Sequence, residues 1–217
     1  MDSRTDAVQE YRKEIRRVAT ERGVSRLYHF TRAENARSIL SHGLASRDLL
    51  VANNVEFLVT DSMRGDNRLG AVSLSIHWIN AAMFERKKRE IGGEWLILEI
   101  DASILWTHSC CFCWANAASA EMRGYKARTL GGPWAFRKMF DDRPMNLADG
   151  RSYRDVYQRA DNRPTDEAAE VQVIDPIAPG LIIDVTVRNQ TAKDWLEAVM
   201  RDVGQIRPVA IYADIFR

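Results

Sequence analysis

No stretch of the 217-residue chain approaches the ~20 consecutive apolar residues of a bilayer-crossing helix, and the charged N-terminus lacks the apolar core of a signal peptide. A soluble, cytoplasmic protein is expected. Prolines (six) and glycines (twelve) never concentrate into a linker, so residues 1–217 are read as a single domain, with 46% hydrophobic content for its core. Cysteine is scarce and local, at Cys110, Cys111 and Cys113. An odd cluster staples nothing distant, which excludes a disulfide framework and fits a reducing compartment. His108 beside it hints at zinc, but no second ligand pair accompanies it, so no metal is expected. Net charge is nearly absent, with 31 basic residues against 30 acidic. Any nucleic-acid binding must therefore rest on a local patch.

What the sequence does contain starts with Arg26 to Asn35. Leu27, Tyr28 and Phe30 are strand formers, and Thr31-x-x-Glu34 has the form of a capping box opening a helix through Ala33, Ala36, Ile39 and Leu40. Gly43 is placed to end that helix. His29 and Thr31, two positions apart, share one face of the strand at a helix start, where backbone N–H groups favour a polar ligand. Two roles fit them: a ligand site, or a core histidine and a simple cap.

Before this strand, Val8, Tyr11, Ile15 and Val18 recur at helical spacing, predicting an amphipathic helix over Ala7 to Glu21 packed across a sheet. After it, Glu56 to Val59 reads as a short edge strand. Asp61 to Gly70 is a loop carrying Arg64 and Arg68, either of which could hold a phosphate or simply be solvated. Ala71 to Ile76 alternates as a half-buried strand, Asn80 to Arg89 reads as a helix with a basic end, and Trp95 to Ile100 as the central strand.

From 104 to 160, aromatic residues interleave with nine basic and five acidic ones. Such a surface suits stacking of single-stranded nucleic acid, with Trp114, Arg123, Trp134 and Arg137 as candidates. Strands over Glu170 to Ile174, Leu181 to Val187 and Val209 to Tyr212 follow, with a helix over Ala192 to Val203 whose Trp195, Leu196, Val199, Met200 and Val203 face inward. Glu170 heads an apolar strand. A carboxylate there either points outward from an edge or is kept for chemistry, since burying one unpaired is costly. Without regular βαβ alternation or a glycine fingerprint, the class is α+β.

Four of these segments together resemble the DarT family, toxin ADP-ribosyltransferases that use NAD to modify bases in single-stranded DNA. The resemblant elements are Tyr28-His29-Phe30-Thr31 with Asn35, Ile39-Leu40 and Gly43-Leu44; Asp61-Ser62-Met63-Arg64-Gly65-Asp66 with Ser73-Leu74-Ser75 and Asn80, Met83 and Phe84; Asn116-Ala117-Ala118-Ser119; and Ala169-Glu170-Val171. The resemblance implies an ADP-ribosyltransferase fold, a split, mixed or antiparallel central sheet with peripheral helices around an NAD cleft. It also implies roles: Glu170 and Arg64 catalytic, with His29, Thr31, Asn35 and Arg64 on NAD, and Arg68 competing with Arg64. The arginine loop and the Ser73-to-Ile76 strand look more like the guanine-modifying branch than the thymine-modifying one. Implied partners are single-stranded DNA and a cognate antitoxin that removes ADP-ribose, with the toxin a monomer. Two alternatives stay open: transfer to RNA or protein, and a non-catalytic nucleic-acid-binding module.

Overall fold

A computed structural model describes residues 3–55, 57–58, 70–145 and 149–216. The elements in order are α1 (Ser3–Glu21), β1 (Arg26–Arg32), α2 (Ala36–His42), α3 (Arg47–Ala52), β2 (Val72–Ile76), α4 (Ala81–Ile91), β3 (Trp95–Asp101), α5 (Ile104–Thr107) and β4 (Cys110–Cys113). Short helices α6 (Ala120–Arg123), α7 (Ala127–Leu130), α8 (Pro133–Lys138) and α9 (Tyr153–Val156) follow. The chain then continues through β5 (Glu170–Val173), β6 (Ile182–Val187), α10 (Gln190–Asp202) and β7 (Val209–Ile211). The class is α+β: one seven-stranded sheet in the order β4-β5-β2-β1-β3-β6-β7, antiparallel throughout except for the β6–β7 pair.

Alternation along β1 and β3 sends side chains to two covered faces. On one, Leu27, Leu96, Leu98 and Ile100 join Ile39 and Leu40 of α2 and Leu196 and Met200 of α10. On the other, Trp95 and Ile97 meet Phe84 of α4 and Phe216, with Phe30 against them; the Phe30 and Phe84 rings lie 5.0 Å apart. Each fully buried side chain of this size contributes roughly 1.5–3 kcal/mol relative to an exposed one. β1 and β3 are thus the doubly covered middle from which the sheet's other half diverges.

Several local expectations are revised. Thr31 and Glu34 form no capping box. β1 extends to Arg32, and Ala33 N–H donates to the Glu94 carbonyl at 3.0 Å, so the ladder claims the strand end and the first turn is a 3₁₀ helix with Arg32 as an uncapped N-cap. α1 packs on α5 and α8, burying Ile15, Val18 and Ala19 but leaving Val8 and Tyr11 exposed. On α10, Trp195 is exposed as well. Within the expected strand over Glu56 to Val59, Glu56 and Val59 lie outside the described residues, and Phe57 and Leu58 are in no strand. The aromatic stretch after Ile104 is largely core: Phe112 of β4, Phe136 of α8, Phe140 and Trp114 are buried, whereas Trp134 and Tyr157 are exposed. Periodicity over such short helices is too weak to separate a covering face from a wet one.

Gly43 ends α2 at φ +88°, and the next residue, Leu44, bridges to Ile177. A Cβ at Gly43 would lie 2.1 Å from the Ile177 carbonyl oxygen, so both dihedral and space require glycine.

Candidate active site

β1 and β2 share only two ladder pairs, Leu27↔Ile76 and Tyr28↔Ser75. Past Tyr28, β1 stays paired to β3 as far as Arg32, while β2 stays paired to β5 as far as Val72. The sheet therefore opens between them, and a cavity of about 250 Å³ occupies the opening. Consecutive residues line it, 28 to 31 from one strand and 71 to 75 from the other, so it sits between the strand ends and not on one face of the sheet. α2 contributes Ser38 and Ile39 from one side, and α4 contributes Met83 and Lys87 from the other.

His29, Thr31, Asn35 and Glu170 all line this cavity. The His29 Nδ1 lies 3.0 Å from the Ser73 carbonyl oxygen. Because a carbonyl only accepts, Nδ1 carries the proton and the neutral ring is the tautomer whose other nitrogen, Nε2, is an acceptor. Thr31 is buried and its Oγ1 accepts from Asn35 Nδ2 at 3.0 Å. That amide also donates to the Leu58 carbonyl at 3.1 Å, and Asn35 Oδ1 accepts the Leu58 N–H at 2.7 Å. Asn35 is thus a clamp between β1 and the chain at Leu58.

Glu170 opens β5 opposite Cys113. Its Oε1 accepts the Ala117 N–H at 3.0 Å, which ties the Asn116-to-Ser119 element to the Ala169-to-Val171 element in space. The turn that presents this N–H is itself fixed: Asn116 Oδ1 accepts from Ala118 N–H at 2.9 Å, and the Asn116 carbonyl accepts from Ser119 N–H at 2.8 Å. Among the described lining residues, Glu170 carries the negative charge, and Arg47 and Lys87 carry the positive charges. Arg64 and Arg68 lie outside the described residues.

Lys87 lines the cavity, although from the sequence it belonged only to the basic end of a helix. It is buried, with its ammonium 3.4 Å from Glu90. The signal was present: Met83 and Phe84 stand at i−4 and i−3 from it, so a lysine shares the face of α4 that buries Phe84. The cysteines do different work. All three are buried, Cys110 Sγ reaches the Ile104 carbonyl, and burial pushes its thiol pKa well up, which suits packing and not nucleophilic chemistry. Among the described residues, no group of three or more His, Cys, Asp or Glu is placed to hold a metal ion, and no helix is long and apolar enough to cross a membrane.

A family model described as DarT, ssDNA thymidine ADP-ribosyltransferase, matches residues 28–217. The chain belongs to the DarT family. The match opens at Tyr28, the residue before His29, and takes in Asn116 to Ser119 and Glu170. Solved DarT structures share the fold. The Thermus sp. 2.9 DarT in complex with ADP-ribosylated ssDNA aligns with a TM-score of 0.56 at 13% identity, over 88% of this chain and 95% of that one. The same protein in complex with NAD+ aligns at 0.53 and 12%, over 88% and 96%. The Thermosipho africanus DarTG in complex with ADP-ribose aligns at 0.54 and 14%, and this chain spans 50% of its length. No curated protein matches the chain by sequence.

Proposed function

We propose that this DarT chain, as one ADP-ribosyltransferase domain over residues 1–217, transfers ADP-ribose from NAD to a base in single-stranded DNA. Glu170 and Arg64 are assigned as catalytic, and His29, Thr31, Asn35 and Arg64 as the NAD-binding set. The carrying observation is that His29, Thr31 and Asn35, close together in the chain, meet the distant Glu170 on one cavity where β1 and β2 part. Family membership and the NAD+ and ssDNA complexes of the Thermus protein support the reading.

The lining suits NAD chemically: a carboxylate can face the sugar carbon that becomes electron-poor, and Arg47 and Lys87 can balance a diphosphate. When bound, NAD supplies a ribose bond to an already cationic leaving group, so its cleavage needs stabilisation of positive charge and no metal. Glu170, oriented by Ala117 N–H, stabilises that charge and takes the proton from the attacking base nitrogen. His29, with Nδ1–H donated to Ser73, holds its ring against the cavity that takes the ligand. Asn35 has its amide committed to Thr31 and Leu58, so it acts by positioning.

Guanine is assigned over thymine on the form of the arginine loop and of the strand from Ser73 to Ile76, although the family description names thymidine. The enzyme is assigned as a monomer. A toxin that modifies its own cell's DNA needs an opposing activity, so the cognate partner is an antitoxin that removes the ADP-ribose. The test is incubation with NAD and single-stranded oligonucleotides, followed by nucleoside mass spectrometry. ADP-ribosyl-deoxyguanosine is expected. A thymidine adduct alone would overturn the base assignment, and transfer only to RNA or protein would overturn the DNA reading.

A further inference from the structure

A second, smaller indentation of about 20 Å³ adjoins the cavity, and Ser75 lines both. Trp78, Arg159, Arg163 and Glu167 bound it, and Ala169, the neighbour of Glu170, lines it too. The Arg159 side chain is 6% exposed, its guanidinium meets Glu167 at 3.0 Å, and its Nε is buried with no hydrogen-bond partner. A buried charged donor without a partner in the chain is costly, so an outside polar group, water or ligand, is favoured beside it. Beside it the Arg163 guanidinium lies over the Trp78 ring, 5.6 Å from its centre, and Trp78 is 40% exposed. Burial and then the Arg159 charge push the Arg163 guanidinium below its ordinary pKa, as expected where two cations face each other without enough anion between them.

The segment carrying these arginines is held ready. Arg154 donates to the carbonyls of Arg159, Ala160 and Arg163 and to Thr165 Oγ1, at 3.4, 2.8, 3.1 and 2.9 Å. The two acids at the pocket are both engaged: Asp166 pairs with Arg143 at 3.0 Å, and Glu167 pairs with Arg159. Glu167 is 67% exposed, so it can swing aside. A mobile carboxylate on a guanidinium occupies the position that a phosphate would take.

We infer that this pocket docks the DNA strand beside the target nucleotide, with Arg159 and Arg163 taking a phosphodiester and the open face of Trp78 stacking a neighbouring base. The inference rests on the transfer reading above and extends it to how the strand is held. Shared Ser75 places the docked strand against the cavity, so its next base enters beside Glu170. Stacking on Trp78 requires an unpaired base, which selects single strands over duplex.

The test is fluorescence anisotropy of a labelled single-stranded oligonucleotide titrated with the full chain at several salt concentrations, with duplex as comparison and thermal melting as the check on folding. Arg163→Ala is expected to weaken strand binding about 10-fold and lower the salt slope by about one; Trp78→Ala should weaken binding by a similar factor with the slope retained. Glu167→Gln, which removes the competing charge while keeping the shape, should tighten binding. Strand affinity unchanged in both Arg163→Ala and Trp78→Ala, beside normal wild-type binding, would overturn the pocket while leaving the transfer reading intact. A wild-type chain with no affinity for single strands would overturn both.

Discussion

The ring of His29 and the backbone carbonyl of Ser73 lie 3.0 Å apart across the point where β1 and β2 separate. A side chain thus takes over where the backbone ladder stops. The bond fixes the ring's tautomer and ties the two halves of the sheet together beside the cavity.

His29→Ala should raise the NAD dissociation constant about 10-fold and cost about 1 kcal/mol of stability, the worth of one hydrogen bond in each case. Calorimetric titration with NAD and thermal melting measure the two effects. A large loss of stability with normal NAD affinity in the folded fraction would make the histidine a purely structural residue.

Glu170→Gln should lower transfer to DNA by roughly 100-fold or more while leaving the melting temperature nearly unchanged. The amide oxygen can still accept from Ala117 N–H, so packing is kept and the charge alone is lost. Glu167→Ala, in the adjoining pocket, should retain most transfer; near-normal activity in the Glu170 variant would remove it from the chemistry.

Asn35→Asp keeps an acceptor for Leu58 N–H but removes both donors, leaving the Thr31 hydroxyl and the Leu58 carbonyl facing a buried carboxylate. A loss of about 1–3 kcal/mol is expected from the unsatisfied groups, and more from the charge. A melt matching wild type would show that the clamp is dispensable.

Burial, and then the charge of Glu99, push the Tyr28 phenol up to about 12 from 10.0, and its hydroxyl donates to Glu99 Oε2 at 3.1 Å. The folded state holds this proton more tightly than the unfolded chain does. Its contribution is therefore full below the unfolded value of 10.0 and is lost as pH rises through about 12. The stability gap between wild type and Tyr28→Phe, measured by denaturant unfolding, should narrow above about pH 10; a gap independent of pH would show that no such linkage exists.

By itself the sequence determined most of the strands, although not β4, whose Cys110–Cys113 run it left unassigned. Leu27 to Phe30, Val72 to Ile76, Trp95 to Ile100 and Glu170 to Val173 were legible because alternating or continuous apolar runs are local properties, and Gly43 because its φ +88° is demanded at one residue. His29, Thr31, Asn35 and Glu170 were legible as a set through the motifs around them. Tertiary structure decided what those residues do to one another. Thr31 stopped being a cap because β3 claims the strand end, and the Asn116 element proved to be the support of Glu170, 53 residues on in the chain. Lys87 turned inward because α4 buries its stripe, and Phe112, Phe136 and Phe140 became core because α7 and α8 cover β4. The opening of the sheet past Tyr28, which makes the cavity, is recorded in no single segment: it arises from two strands each keeping a different partner.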